Sequence, residues 1–155
     1  MNGMTPPTIP INLEKIPHSN SDITILFADD DGALQKFVLA LLKSSHYKVI
    51  VANNGKEALE KARAFKGVIH LLLSDVEMPE MTGIELAIQL NQERPETRIL
   101  LMSGLATGML VLNNGWSFLP KPFMADMLRD RIRDFLSEQP NPVPAVPAPP
   151  AAPAA

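Results

Sequence analysis

The sequence predicts an α/β fold, a doubly wound domain in which helices cover both faces of a five-stranded parallel sheet. Short apolar runs alternate along the chain with amphipathic helical patterns, as right-handed crossovers and a parallel sheet require. Several of these runs stop abruptly on an acid, a hydroxyl or a lysine, as strands do at the mouth of such a sheet. The chain has 155 residues, 46% of them hydrophobic, which suits a single core.

The first two strands and their helices are predicted between residues 23 and 67. The apolar run Ile23–Ala28 predicts the first strand, and three consecutive aspartates follow it. Tyr47–Ala52 predicts the second strand, and Asn54 is expected to cap the second helix, which stops at Gly67. The first helix is predicted from an apolar stripe at helical spacing, formed by Leu34, Phe37, Val38, Leu41 and Leu42.

The third strand is the feature around which the chain is organised. The apolar run Ile69–Ser74 reads as a strand buried on both faces, and it leads directly to Asp75. Thr82 with Glu85 forms a T-x-x-E capping box that starts the third helix, and Pro95 prevents the helix from continuing.

The last third of the chain contains the two remaining strands. Arg98–Met102 predicts the fourth strand, followed by Ser103, and Trp116–Pro120 predicts a short fifth strand, followed by Lys121. Only seventeen residues separate Ser103 from Lys121, which leaves roughly two turns for a fourth helix. We therefore expect about five helices, the fourth short or frayed. The final helix has an apolar face of Met124, Met127, Leu128, Ile132, Phe135 and Leu136.

The two ends of the chain differ in composition from the predicted domain. We expect residues 1–22 to be a flexible amino-terminal arm, residues 23–137 to be the folded domain, and residues 138–155 to be a disordered tail rich in proline and alanine. No secretory signal or membrane-spanning run is recognisable, and cysteine is absent, so a cytoplasmic location is expected. The net charge of −3 argues against nucleic acid as the main partner.

The predicted strand order is 2-1-3-4-5, which is flavodoxin-like and has its switch point between the first and third strands. This order brings Asp29, Asp30 and Asp75 together at one sheet edge, with Ser103 and Lys121 beside them. Three converging carboxylates repel one another unless a cation lies among them, and hard oxygen ligands favour Mg²⁺. Such a site can bind a phosphoryl group with Asp75 as its nucleophile, which gives an aspartyl phosphate.

Four motifs, in this order and spacing, resemble the receiver domain of two-component response regulators. The motifs are ILFADDD, LLLSDVEMPEMTG, ILLMSG and FLPKPF, and the resemblance covers roughly residues 23–137. It implies a phosphoacceptor regulatory domain that turns over no metabolite. The expected phosphodonor is a phosphohistidine on a sensor histidine kinase or a histidine phosphotransfer protein. A downstream protein effector, which the sequence does not identify, is also implied. Response regulators commonly use the face of the fourth helix for dimers and effectors, and because that helix is short here, the usual dimer through it is in doubt.

The resemblance also assigns the metal ligands and the acceptor. It implies that Asp75 is the phosphoacceptor and also a Mg²⁺ ligand, and that Asp30 is the main ligand. Asp29 would hold the water shell of the metal, and the Glu77 backbone carbonyl would be another ligand. We predict in addition that the Glu77 side chain alters the lifetime of the phosphorylated state, in a direction that the sequence leaves open.

Ser103 matches the switch hydroxyl of that family, Phe118 the switch aromatic and Lys121 the phosphate-binding lysine. The resemblance also implies that the Lys121–Pro122 peptide bond is cis. Phosphorylation would draw Ser103 toward the phosphate and let Phe118 turn inward, which would shift the surface of the fourth helix and fifth strand.

Two other functions remain alternatives. A phosphohydrolase with a nucleophilic aspartate uses a similar sheet, but its usual D-x-D-x-T/V arrangement is not met by the DDDGA segment here. The second alternative is a phosphorylation-independent binding module in which the proline-rich tail is the interaction site. No glycine-rich phosphate loop follows the first strand, so a dinucleotide-binding function is poorly supported.

Overall fold

Five parallel strands form one sheet in the order β2-β1-β3-β4-β5, as predicted. The structure, a computed structural model, describes residues 20–104 and 116–137. The strands, each within two residues of its predicted bounds, are β1 (Thr24–Ala28), β2 (Lys48–Ala52), β3 (Leu71–Asp75), β4 (Arg98–Ser103) and β5 (Ser117–Pro120).

Four α-helices lie within the described ranges, together with a 3-10 helix at Asn20–Asp22. The predicted short helix between the fourth and fifth strands falls on residues 105–115, outside the described residues. The predicted tail and all but the last three residues of the predicted arm also lie outside them. The described helices are α1 (Gly32–Ser44), α2 (Gly55–Ala64), α3 (Gly83–Glu93) and α4 (Ala125–Ser137).

The two central strands β1 and β3 are buried along their whole length, because helices cover both faces of the sheet. Alternate side chains point to opposite faces. Leu26 and Leu72 pack with residues of α2 and α3, whereas Phe27 and Leu73 pack with residues of α1 and α4. This rigid centre fixes the positions of the loops that follow β1 and β3.

Local side-chain caps begin the first three helices, and two of them were predicted. Asn54 accepts a hydrogen bond from the Glu57 N–H, and Thr82 and Glu85 form the complete capping box. The α1 cap is Asp31, which accepts from the first backbone N–H groups of that helix.

Gly83 brings α3 against the end of β3. A Cβ atom at this position would lie 2.1 Å from the Asp75 carbonyl oxygen, so any larger residue collides with the backbone. The Gly83 N–H also donates to the Val76 carbonyl at 2.9 Å. The start of α3 is therefore held directly beside Asp75.

Arg94 closes the carboxyl-terminal end of α2 from a different part of the chain. Its guanidinium donates to the Ala62, Phe65 and Gly67 carbonyl oxygens at 2.9, 2.5 and 2.8 Å. These contacts satisfy carbonyls that have no partner inside the helix. They also tie the end of α3 to α2.

The opposite edge of the sheet carries His70. The Thr24 N–H donates to its Nδ1 at 3.0 Å, so that nitrogen has to be unprotonated. Burial lowers the pKa of His70 below its ordinary value of 6.5, and Asp22 opposes this effect. In the described ranges, every helix is too short or too polar to cross a bilayer.

Candidate functional site

Three aspartates meet at the carboxyl edge of the sheet, as the strand order predicted. Asp29 and Asp30 follow β1, and Asp75 is the last residue of β3. One carboxylate oxygen from each lies within 4.8 Å of the others. Asp29 is 0% exposed and Asp75 is 5% exposed, whereas Asp30 faces solvent. The cluster therefore has a buried floor and one open side.

Lys121, just after β5, supplies the positive charge. Its Nζ lies 3.2 Å from Asp75 Oδ1 and 3.5 Å from Asp29 Oδ2. The Lys121 N–H donates to the Ser103 carbonyl at 2.8 Å, which anchors the lysine beside the end of β4. The Lys121–Pro122 peptide bond is cis, as expected.

One ammonium group does not balance the three carboxylates. The pKa of Asp75 is raised from 3.8 to about 6, chiefly by burial. Lys121 opposes this effect, whereas Asp29 and the Glu77 side chain add to it. Burial likewise raises the pKa of Asp29, against the lowering effects of the Asp31 N–H and Lys121. Three negative charges and one positive charge leave two negative charges, which a divalent cation would neutralise.

The donor set suits Mg²⁺. All three side chains offer hard oxygen ligands, and the exposed side at Asp30 leaves room for the waters that Mg²⁺ retains. Lys121 contacts two of the carboxylates without being a possible ligand itself. The residues present therefore fit this ion.

Ser103 and Glu77 are joined by a contact that the sequence did not predict. Ser103 ends β4, is 1% exposed, and its hydroxyl donates to Glu77 Oε1. The Glu77 N–H donates to Asp75 Oδ1 at 3.3 Å. Glu77 therefore lies beside the candidate phosphoacceptor and also engages the predicted switch hydroxyl.

Phe118 lies in β5, where it is half-buried and pairs in register with Leu101. Its ring packs against the apolar cluster that the sheet forms with α2 and α3. Its function as a switch stays a prediction.

Gln35 supports the site and was missed in the sequence analysis. Its side-chain amide donates to the Asp29 carbonyl at 3.2 Å and to Asn53 Oδ1 at 3.1 Å. It therefore ties the loop after β1 to the loop after β2. No local pattern marks this residue, because its partners come from two other segments. Gly83 was also missed, although a glycine directly after the Thr82 cap is a usable signal of close approach.

A cleft opens beside the acids, between α1 and the segment after β5. It has a volume of about 430 Å³ and polar and apolar walls. Its lining residues are Asp31, Leu34, Gly104, Lys121, Pro122 and Phe123.

The fold and this edge define a class of protein, the flavodoxin-like domains that carry an acidic cation site and a lysine at the switch point of the sheet. The chain belongs to the response regulator receiver domain family, because the sequence pattern of that family matches residues 25–133. Receiver domains are regulatory phosphoacceptor domains of two-component phosphorelay signalling, and they bind Mg²⁺.

Known relatives agree with this membership. The sensor kinase CckA of Brucella abortus is 31% identical over 131 residues, which are 82% of this chain and 14% of that kinase. The crystal structure of the receiver domain of the hybrid histidine kinase CckA is 33% identical, with a TM-score of 0.64 over 73% of this chain and 98% of that chain. The response regulator TrrA of Thermotoga maritima, solved with Mg(2+)-BeF, is 25% identical, with a TM-score of 0.64 over 72% of this chain and 97% of that one.

Proposed function

We propose that this protein accepts a phosphoryl group on Asp75 from a phosphohistidine of a sensor histidine kinase or a histidine phosphotransfer protein, in a Mg²⁺-dependent reaction. Phosphorylation then changes its contacts with a downstream protein. The single observation that carries the proposal is the position of the Lys121 ammonium, 3.2 Å from Asp75 and 3.5 Å from Asp29 within a cluster of three carboxylates. A lysine and a divalent cation together suit a site for a doubly negative group.

Asp29, Asp30, Asp75 and the Glu77 carbonyl would hold the Mg²⁺ ion. When bound, the ion neutralises charge on the carboxylates and on the phosphoryl oxygens, so that two anions can approach each other. The complex of TrrA with Mg(2+)-BeF supports this assignment, because that relative has the same fold.

The transfer itself needs few groups from the protein. An Asp75 carboxylate oxygen forms a bond to phosphorus while the bond from phosphorus to the imidazole nitrogen breaks. The imidazole keeps the electron pair and takes a proton from solvent, and the product is an acyl phosphate. Lys121 and the Ser103 hydroxyl would pair with the phosphoryl oxygens, and the 3.2 Å distance from Lys121 Nζ to Asp75 Oδ1 supports this role for the lysine. Attack of water on phosphorus later releases phosphate and restores the Asp75 carboxylate.

Ser103 and Phe118 would convert phosphorylation into a change of conformation. A new hydrogen bond from Ser103 to the phosphoryl group would favour one of two pre-existing conformations. Phe118 would follow by turning from its half-buried position toward the interior. The surface that β5 presents to an effector protein would then change.

The experiment is phosphorylation by acetyl phosphate, followed by mass spectrometry of the intact protein. We expect addition of one phosphoryl group in the presence of Mg²⁺, little addition with a chelator, and none in Asp75→Asn. Glu60→Gln, an exposed change on α2, is the matched carboxylate control and should label normally.

Equal labelling of Asp75→Asn and the wild type would refute the assignment of the acceptor. Absence of any acyl phosphate would favour the phosphorylation-independent binding module. Sustained release of phosphate from a small phosphomonoester would favour the phosphohydrolase instead.

A further inference from the structure

The Ser103 hydroxyl is directed at a carboxylate of the protein itself. Ser103 is buried at the end of β4, and its hydroxyl donates to Oε1 of Glu77, which is 26 residues away in the sequence. Glu77 is an exposed residue of the loop after β3. A buried donor is therefore held by a side chain that has solvent beside it.

A serine hydroxyl has one proton to donate. While that proton is directed at Glu77, it cannot also be donated to a phosphoryl oxygen on Asp75. The two acceptors therefore compete for one donor. A hydrogen bond to a charged group is among the stronger ones in proteins, so release from Glu77 has a measurable cost.

The backbone of Glu77 keeps its side chain close to the position at which a phosphoryl group on Asp75 would lie. Its N–H donates to Asp75 Oδ1 at 3.3 Å, which holds the residue next to the phosphoacceptor. Because Glu77 is exposed, its carboxylate is free to move into solvent when a phosphoryl group arrives. The same movement would release the Ser103 hydroxyl.

We propose that Glu77 is a positioning residue that acts through Ser103. In the unphosphorylated protein its carboxylate keeps the Ser103 hydroxyl from the phosphoryl position, and it thereby lowers the affinity of the site for a phosphoryl group. This inference rests on the proposed function, and it assigns a regulatory contact and its direction to that same site.

The test is a double-mutant cycle on the affinity for beryllofluoride, an analogue of the phosphoryl group, measured by titration calorimetry with Mg²⁺ present. Glu77→Ala should bind beryllofluoride roughly tenfold more tightly than the wild type. In a Ser103→Ala background the same change should have a clearly smaller effect, because only the charge repulsion between the Glu77 carboxylate and the anionic site at Asp75 is then removed. Ser103→Thr, which keeps a hydroxyl, should restore the full effect.

An equal effect of Glu77→Ala in the Ser103 and Ser103→Ala backgrounds would overturn the inference, since Glu77 would then act by charge alone. Unchanged or weaker binding by Glu77→Ala would overturn it as well. The proposed function fails separately if wild type and Asp75→Asn show the same lack of Mg²⁺-dependent beryllofluoride binding, and the inference then falls with it. Circular dichroism of each variant establishes that it is folded, and Glu60→Ala on α2 serves as the control for loss of a carboxylate.

Discussion

Replacement of Asp75 by asparagine should stabilise the protein near neutral pH in a buffer without divalent cations. The pKa of Asp75 is about 6 in the folded protein against an ordinary value of 3.8, mainly because the carboxylate is buried. Between these two pH values the folded state binds a proton more tightly than the unfolded state. The contribution of Asp75 to stability therefore falls as the pH rises from about 4 to about 6. Asparagine keeps the shape of the side chain and carries no charge at any pH.

The pKa difference sets the size of the effect. About two pH units at 1.36 kcal/mol each correspond to about 3 kcal/mol, which is a ceiling because Lys121 loses one of its two carboxylate partners. We expect a gain of about 1–3 kcal/mol, or roughly 3–10 °C in Tm. Mg²⁺ at a hundredfold excess over its Kd would stabilise the wild type by about 2.7 kcal/mol. Asp75→Asn has lost one ligand and should be stabilised less by Mg²⁺, so Mg²⁺ should reduce or reverse the stability difference between the variant and the wild type.

Urea unfolding of the wild type and Asp75→Asn measures this difference near pH 4 and near pH 7.5, with a chelator or with Mg²⁺. In chelator, the free energy of unfolding of Asp75→Asn should exceed that of the wild type near pH 7.5, and the two should be close to equal near pH 4. Glu60→Gln, at an exposed position of α2, should change stability by less than about 0.5 kcal/mol at either pH. The reasoning is refuted if Asp75→Asn is no more stable than the wild type in chelator at the higher pH, or if its gain is as large near pH 4.

Three further variants test the fold around the site by the same urea unfolding measurement. Gly83→Ala should lower the free energy of unfolding by about 3 kcal/mol, because its Cβ would lie 2.1 Å from a backbone oxygen. Gly32→Ala, whose Cβ would have no atom within 4 Å, should raise the free energy of unfolding by up to about 1 kcal/mol. Equal effects of the two substitutions would contradict the close approach at Gly83. Arg94→Met should lower the free energy of unfolding by about 2 kcal/mol and speed amide exchange at the end of α2, since three carbonyls lose their donor. An unchanged free energy of unfolding would show that water replaces the guanidinium as the donor. The pKa of His70 is lowered in the folded state, so the wild type should lose stability as the pH falls below about 6.5. This loss should be smaller in His70→Gln. If the stability of both proteins changed equally with pH, His70 would not be its cause.

The elements of the fold that depend on neighbouring residues were predictable from the sequence. The caps at Asn54 and Thr82 act over three residues, so their pattern is visible in the chain itself. The leucine run before Asp75 indicated a buried strand for the same reason. Strand β3 extends one residue further than predicted because Asp75 itself pairs with Met102 in the ladder, and that pairing depends on another strand.

Contacts between distant segments were not predictable. The hydrogen bonds of Arg94 to the end of α2, of Gln35 to the loop after β2, and of Ser103 to Glu77 join residues that are 18 to 32 positions apart in the chain. Each depends on how helices pack on a twisted sheet to within a fraction of an ångström. Hydrophobic periodicity contains no information at that scale.

The sequence by itself determined which chemical groups meet at the carboxyl edge of the sheet. Parallel strands in a known order bring their ends together, so the residues after each apolar run were enough to place three acids, a hydroxyl and a lysine there. Only the tertiary structure decided which groups form hydrogen bonds and ion pairs, and how the pKa of each carboxylate is shifted. Lys121 lies between two carboxylates, Ser103 donates to Glu77, and the pKa of Asp75 is raised to about 6. Burial and side-chain contacts are produced by all the surrounding elements at once, and for that reason no single stretch of the chain predicts them.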